Sequence, residues 1–284
     1  MSWYALQLGY PHKARMKAMA EGVAALGGRV EVVSETASAD DLMRLLSSAR
    51  PRFAFTCGMH REAARPRGIL AGFDVPLLVL DCGWFNRAEG GDDEEGYNQL
   101  GLGQLNWLPP RCHRSPRRWL AHGLTIAPRQ ARPGNKRLLV LGQVPNDSQH
   151  HLSVNGLASW LTERAAECYA QGWTILYRPH PRHVLTTLRI PHTVMDPAEP
   201  LANQLAGVAA ALTFNSTAGL EALRAGVPVG CDSSAHYHRV AGITDPDELL
   251  AHCELLAAAQ WTCAELRTGA PLRFMAQFSK RILP

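Results

Sequence analysis

The sequence predicts an α/β protein built as two Rossmann-like domains facing a cleft, and three observations carry that expectation. Short apolar runs alternate with helical-period segments from the first residues onward, the pattern of a parallel sheet covered by helices. The alternation occurs twice, on either side of a stretch from about Asp81 to Lys136 in which periodicity fades. At 284 residues the chain also exceeds one ordinary domain of roughly 100–200 residues.

In the first half, Trp3–Leu8, Arg29–Val33, Arg52–Thr56 and Pro76–Leu80 read as strands because each is a short apolar or β-branched run bounded by polar or turn-forming residues. Between them Lys13–Ala25, Asp40–Ser48 and Arg61–Ala71 have helical spacing. Gly27-Gly28 stops the first helix, and Ser38 or Asp40 caps the second. The Gly-, Pro-, Asn-, Arg- and Trp-rich stretch that follows predicts a long functional loop, 81–110, and a linker, since a structureless segment of that length usually carries a site. Order returns with the buried strand Arg137–Leu141. Helix Leu152–Gln171, strands Thr174–Tyr177 and Thr193–Met195, helix Leu201–Ala206, strand Ala209–Thr213, helix Thr217–Ala225 and strand Val227–Gly230 follow, and helices Pro246–Ala259 and Thr262–Gly269 close the series. The expected domains are 1–126, including the loop 81–110, and 127–284.

A 46% hydrophobic and 19% charged composition belongs to a globular protein, and no apolar run approaches the roughly 18 residues of a membrane span. The start, Met1 to Gly9, reads as a first strand and not as an export signal. Seven scattered cysteines without a Cys-x-x-Cys pair fit reduced thiols, hence a cytoplasmic protein. The net charge of +4 is mild, yet Arg111, His113, Arg114, Arg117, Arg118, Arg129, Arg132, Lys136 and Arg137 crowd one stretch. That stretch reads equally as an anion-meeting surface and as solvated linker charge.

Four constellations carry chemistry. In Phe214-Asn215-Ser216-Thr217-Ala218-Gly219-Leu220-Glu221 a buried strand gives way to a helix start, whose free backbone N–H groups suit a phosphate. Ser216 and Thr217 add hydroxyls, Gly219 permits close approach of helix and sheet, and Glu221 is placed in the first turn to serve the helix dipole or a sugar hydroxyl. The competing reading is an ordinary capped amphipathic helix. In Arg178-Pro179-His180-Pro181 two prolines stiffen the turn that presents His180 at a strand end, with Arg178 and Arg182 adding charge for a phosphate. Here the competing readings are a plain turn histidine and a zinc site drawing on His183 and His192, for which no Cys, Asp or Glu completes a ligand spacing. Gly142, Gln143, Asp147 and Ser148 leave the first strand of the second half, with Gln143 and Ser148 toward the cleft and Asp147 toward a ribose or sugar hydroxyl, or in a plain Asx turn. In the first half Asp81 ends a buried strand, where a general base must stand. Trp84, Arg87, Asn98, Gln99 and Trp107 supply aromatic, amide and cationic groups of the kind that line acceptor surfaces. Asp92-Asp93-Glu94-Glu95 offers further carboxylates, or a solvated acidic loop.

The pair His-Pro and Asn-Ser-Thr-x-Gly-x-Glu-Ala-Leu-x-x-Gly-x-Pro-Val resembles the bacterial capsule-polysaccharide β-Kdo transferases and, more distantly, GT-B sialyltransferases with His-Pro and Ser/Thr motifs. The resemblance covers roughly Arg137 to Gly269 and, in the first half, only Asp81–Arg87. It implies a GT-B fold and a glycosyltransferase in which His180 and Ser216-Thr217 hold the phosphate of a CMP-activated sugar, with Asn215 and Glu221 nearby. It also implies a base from an acidic-acidic-Gly motif. Asp81-Cys82-Gly83 departs from that motif at Cys82, so Asp81, Glu94 and Glu95 all stand as candidates. The compact length resembles bacteriophage reading frames, which adds hydroxymethylated DNA pyrimidine to saccharides and glycolipids as acceptors and makes the basic stretch a phosphate-contacting surface. No metal and no resident cofactor is expected, the nucleotide sugar being a co-substrate. Sugar-nucleotide epimerases, glycerophosphotransferases and a non-catalytic DNA- or glycan-binding module are the alternatives.

Overall fold

The computed structural model describes residues 3–34, 37–58, 64–88, 93–129, 132–147, 149–150, 152–182, 190–195, 200–242 and 245–284. The chain divides into two units, one formed by Met1–Arg118 with Leu255–Pro284 and the other by Trp119–Glu254.

In the first unit β1 (Tyr4–Leu8), β2 (Arg29–Val33), β3 (Phe53–Cys57) and β4 (Leu77–Cys82) run parallel in the order β2-β1-β3-β4. β5 (Asn98–Leu102) adds antiparallel to β4, and β11 (Gln260–Trp261) adds antiparallel to β5. Side-chain alternation divides each central strand between two cores. Ala5, Phe53, Phe55, Leu78 and Leu80 enter one, where they meet Met16, Met19 and Val23 of α1 (Ala14–Ala25), Leu266 of α10 (Cys263–Arg267) and Leu272 and Met275 of α11 (Ala270–Ala276). Leu6, Ala54, Leu77 and Val79 enter the other with Leu42 and Leu46 of α2 (Ala39–Ser48) and Leu70 of α3 (Ala64–Gly72). A sheet buried on both faces needs apolar residues at every position, which is why these strands read as continuous runs. Ser38 is the cap of α2: its Oγ accepts from Asp41 N and the Asp41 carboxylate accepts from Ser38 N in return.

The second unit holds five parallel strands, β6 (Arg137–Leu141), β7 (Thr174–Arg178), β8 (Thr193–Met195), β9 (Ala210–Leu212) and β10 (Val229–Gly230), in the order β10-β9-β6-β7-β8. Counted along the chain this is 3-2-1-4-5, the doubly wound order that reverses between its first and fourth strands. Leu157, Leu161 and Ala165 of α5 (Val154–Ala170) cover one face against Leu138, Val140, Ile175, Tyr177 and Leu212.

Two expectations are corrected. The segment 81–110 is not a loop throughout: β4 runs on to Cys82 and β5 occupies Asn98–Leu102. The boundary expected at 126/127 falls instead within α4 (Pro116–Ala121), between Arg118 and Trp119, and the tail from Leu255 belongs to the first unit. β11 pairing with β5 secures that return, and so does Arg118, which donates to both Glu265 carboxylate oxygens at 2.6 and 3.1 Å and to Ala257 O at 2.9 Å while lying 4.2 Å over the Trp261 ring.

Candidate functional site

Ligands of open α/β sheets bind outside the carboxyl ends of the strands, where the strand order reverses. In the second unit that point lies between β6 and β9, and the residues leaving both strands are locked to each other. Gln143 Oε1 accepts from Asn215 N at 2.8 Å and from Thr213 Oγ1 at 3.3 Å, while Gln143 Nε2 donates to Asn215 Oδ1 at 2.8 Å. Asn215 Nδ2 donates onward to Gln149 O at 3.2 Å and Ser234 Oγ at 3.4 Å. Asn215 is 1% exposed and Gln143 9%, so both amides are committed to building the turn.

The helix that starts here, α7 (Thr217–Arg224), is capped by Ser216, whose Oγ accepts from Ala218 N at 3.3 Å. Ser216 and Thr217 are half-buried at the tip. The carbonyl of Ser216 is held by Tyr237, whose buried hydroxyl donates to it at 2.7 Å. Gly219 serves that contact more than the approach of helix to sheet, because a Cβ there would lie 2.2 Å from Tyr237 Oη and 3.0 Å from Thr213 Cγ2. Glu221 is corrected: as the fifth residue of α7 it lies in the second turn, exposed, beyond reach of the first-turn N–H groups.

Edge-on to Tyr237, at 4.8 Å, lies His236, which stacks on His252 of α9 (Pro246–Ala258) at 5.6 Å and 8°, with Nδ1 and Nε2 3.4 Å apart. Burial pushes His252 down to about 4 and drives His236 well below the ordinary histidine range, the neighbouring ring adding to the effect on His236. Both rings are therefore neutral at pH 7. This pair and Tyr237 escaped the sequence reading, since Ser233-Ser234-Ala235-His236-Tyr237-His238 carries no periodic pattern.

The Arg178–His180 turn leaves β7, which is not the immediate neighbour of β9: β6 lies between, so the two strand ends stand about 10 Å apart. Gly142 fills the position between them, and its lack of a side chain matters because a Cβ would meet Tyr177 Oη at 2.9 Å, Arg178 O at 3.1 Å and His180 N at 3.1 Å. His180 is half-buried, and its Nδ1 accepts from Arg182 N at 3.2 Å. That contact requires the tautomer with the proton on Nε2, the form that donates to an anion. Arg178 Nη1 donates to Gln204 Oε1 of α6 (Leu201–Gly207) at 2.8 Å. Asp147 accepts from Gln149 N at 2.9 Å in an Asx turn, and Ser148 and His183 lie outside the described residues. His192 stacks on Tyr169 at 4.3 Å, and no group of three or more potential metal ligands occurs among the described residues.

In the first unit Asp81 lies at the carboxyl end of β4, its side chain 20% exposed. Its Oδ1 accepts from Cys82 N at 2.8 Å and lies 3.8 Å from Nη1 of Arg15, a residue that the sequence reading passed over. Glu94 is paired with Arg267 at 2.9 Å, and Glu95 is exposed. The expected acceptor residues are largely spent on structure. Asn98 and Gln99 are each 1% exposed within β5, where Gln99 donates to Cys82 O and accepts from Asn106 N. Trp84 is buried with its indole on Asn106 Oδ1 at 3.1 Å, and Trp107 packs edge-on against Phe278 at 5.0 Å. Arg87 is exposed. The basic stretch divides between the units, and part of it holds main chain: Arg132 donates to Leu205 O and Val208 O, and Lys136 to Gln171 O.

Two Rossmann-like units, one built on four parallel strands with an antiparallel extension and the other on five parallel strands, each reversing its strand order, place the chain in the GT-B fold class. The solved structure of Thermosulfurimonas dismutans KpsC, beta Kdo 2,4 transferase, shares the fold with a TM-score of 0.55 at 15% identity, over 90% of this chain and 89% of that one. The beta Kdo 2,7 transferase of KpsC from the same organism matches with a TM-score of 0.53 at 13% identity, over 94% of this chain and 98% of that one. No family model matches the chain, and no curated protein does. Among the described residues no helix is long and apolar enough to cross a membrane.

Proposed function

We propose that the chain is a glycosyltransferase that takes a sugar from a nucleotide-sugar donor and delivers it to a hydroxyl of a saccharide or glycolipid. One observation carries the reading: the start of α7 opens at the reversal point of a 3-2-1-4-5 sheet, where backbone N–H groups and the helix dipole suit a phosphate. The Gln143–Asn215 lock and the Tyr237 hydroxyl fix that start in advance, so charge developing on the donor phosphate meets donors that need no rearrangement. His180, proton on Nε2, and Arg178 add two donors from the next strand but one.

In this reading Asp81 takes the proton of the acceptor hydroxyl as that oxygen bonds to the anomeric carbon. The bond from that carbon to the phosphate oxygen breaks, and the nucleotide leaves with the electron pair. Ser216, Thr217, His180 and Arg178 receive the charge. The KpsC structures, named as β-Kdo transferases, support the choice of a sugar-transfer reaction on this fold. A saccharide acceptor is preferred over DNA because Arg118, Arg132 and Lys136 of the basic stretch are engaged with carbonyls and Glu265.

The test is a thermal-shift screen against CMP-, UDP-, GDP- and ADP-sugars. A ligand that binds only the folded chain at 100 times its Kd adds about 2.7 kcal/mol of stability. One nucleotide class should raise the melting temperature of the wild type, and His180→Ala should keep the unliganded melting temperature while losing most of the shift. No shift with any donor at millimolar concentration removes the transferase reading. An undiminished shift in His180→Ala removes His180 from it.

A further inference from the structure

Arg15 is the second residue of α1 and lies in an apolar setting: Ala14 and Met16 on either side of it are buried in the core beneath the sheet, and Arg15 itself is 3% exposed. Arginine is almost never buried to that degree unless it faces an anion, because desolvating a guanidinium costs several kcal/mol. An apolar residue at this position would hold α1 to the sheet without that cost. The charge is therefore there for what it faces. Its Nη1 and Nη2 approach Cys82 Sγ at 3.7 and 3.6 Å, and Nη1 lies 3.8 Å from Asp81 Oδ1. The carboxylate stays one-fifth exposed, against 4% for the guanidinium side chain.

We infer that Arg15 is a positioning residue for Asp81, a buried fixed charge that keeps the carboxylate ionised and aimed out of the strand end. The inference rests on the proposed role of Asp81 for its function, and on the geometry of the pair for its physics. Among the described residues, the ionisable groups around the pair come from four elements. Cys82 is on β4 itself. Arg15 comes from α1, with Lys13 just before it, whose Nζ lies 3.5 Å from Cys57 Sγ. Cys57 ends β3, and Cys263 of α10 also feels the Arg15 charge. The Cys82 and Cys57 thiols and Asp81 all favour the charged guanidinium against the burial that opposes it, and its pKa is raised on balance.

The experiment uses the full chain with 13C at aspartate carboxyls, Asp81 being assigned by its loss in Asp81→Asn. The pH at which Asp81 takes up its proton is followed in the wild type, Arg15→Met and Arg15→Lys. Arg15→Met should move that midpoint to higher pH by about one unit or more, and Arg15→Lys should recover most of the difference. An unmoved midpoint in Arg15→Met, in a chain whose amide spectrum is otherwise native, overturns the inference. Should Arg15→Met fail to fold, an Arg15→Lys midpoint equal to that of Arg15→Gln overturns it as well. Nucleotide release from the CMP-, UDP-, GDP- and ADP-sugars with water as acceptor separates the two claims: undiminished release by Asp81→Asn removes Asp81 as the base, while the effect of Arg15 on its titration stands or falls by the spectra.

Discussion

Acid should unfold the second unit earlier than its other groups would, because of the stacked pair His236 and His252. His252 is 8% exposed and pushed down to about 4 in the folded chain, against about 6.5 when unfolded. The unfolded chain therefore binds more protons between those values, and stability falls as pH falls from about 6.5 toward 4. Linkage for this one ring gives a loss of about 2 kcal/mol between pH 7.5 and 5 and about 3 kcal/mol by pH 4. His236, pushed the same way, adds to it. The window lies mostly above that of the carboxylates: Glu265, held down by Arg118 and the Thr262 cap, and Asp41, held down by Ser38, give up their contributions as pH falls through the ordinary carboxylate range and below it. Urea unfolding at pH 7.5, 6 and 5 measures the slope, with hydrogen exchange in α9 and 231–237 locating it in the second unit. His252→Gln should be less stable at pH 7.5 through lost stacking, yet lose clearly less on acidification. Parallel pH slopes for wild type and His252→Gln would refute the argument.

Gly219→Ala should destabilise the chain by about 1–3 kcal/mol through overpacking against Tyr237 Oη, and Tyr237→Phe in the same chain should restore part of the loss; thermal melts of the four chains of the cycle read the coupling. Gln143→Ala leaves the buried Asn215 Oδ1 without its donor and the Asn215 backbone N–H without its acceptor, a cost of about 1–3 kcal/mol, and should weaken nucleotide-sugar binding beyond what the lost stability explains, as read by calorimetric titration. Arg118→Met removes a two-point ion pair with Glu265 and the hold on Ala257 O, and should raise exchange rates in β11 and α10 while leaving those of β6–β9 unchanged.

The central strands and most helices were legible because a sheet covered on both faces writes itself as apolar runs, and because Ser38, Ser216 and Thr262 stand where capping chemistry needs them. β5 was missed because Asn98-Gln99-Leu100-Gly101-Leu102 carries two amides at its buried end, where Asn98 Nδ2 donates to Trp261 O and Gln99 Nε2 to Cys82 O, and β11 because two residues make no pattern. The sequence does not show the structural part of these amides: Asn98, Gln99, Gln143 and Asn215 look like ligand-binding groups, and each makes hydrogen bonds inside its own unit. Arg15 was missed for the opposite reason, being one charge in a helical run, Ala14-Arg15-Met16-Lys17-Ala18-Met19, that reads as an amphipathic face.

The return of Leu255–Pro284 to the first unit makes the second unit an insertion in chain order. During synthesis Trp119–Glu254 leaves the ribosome ahead of α10 and α11, so the flank of α1 lined by Met16, Met19 and Val23 stays without its cover until Leu255–Pro284 has also emerged. A released fragment ending at residue 254 should thus hold a folded second half beside a sticky first half, the state in which a chaperone would find it.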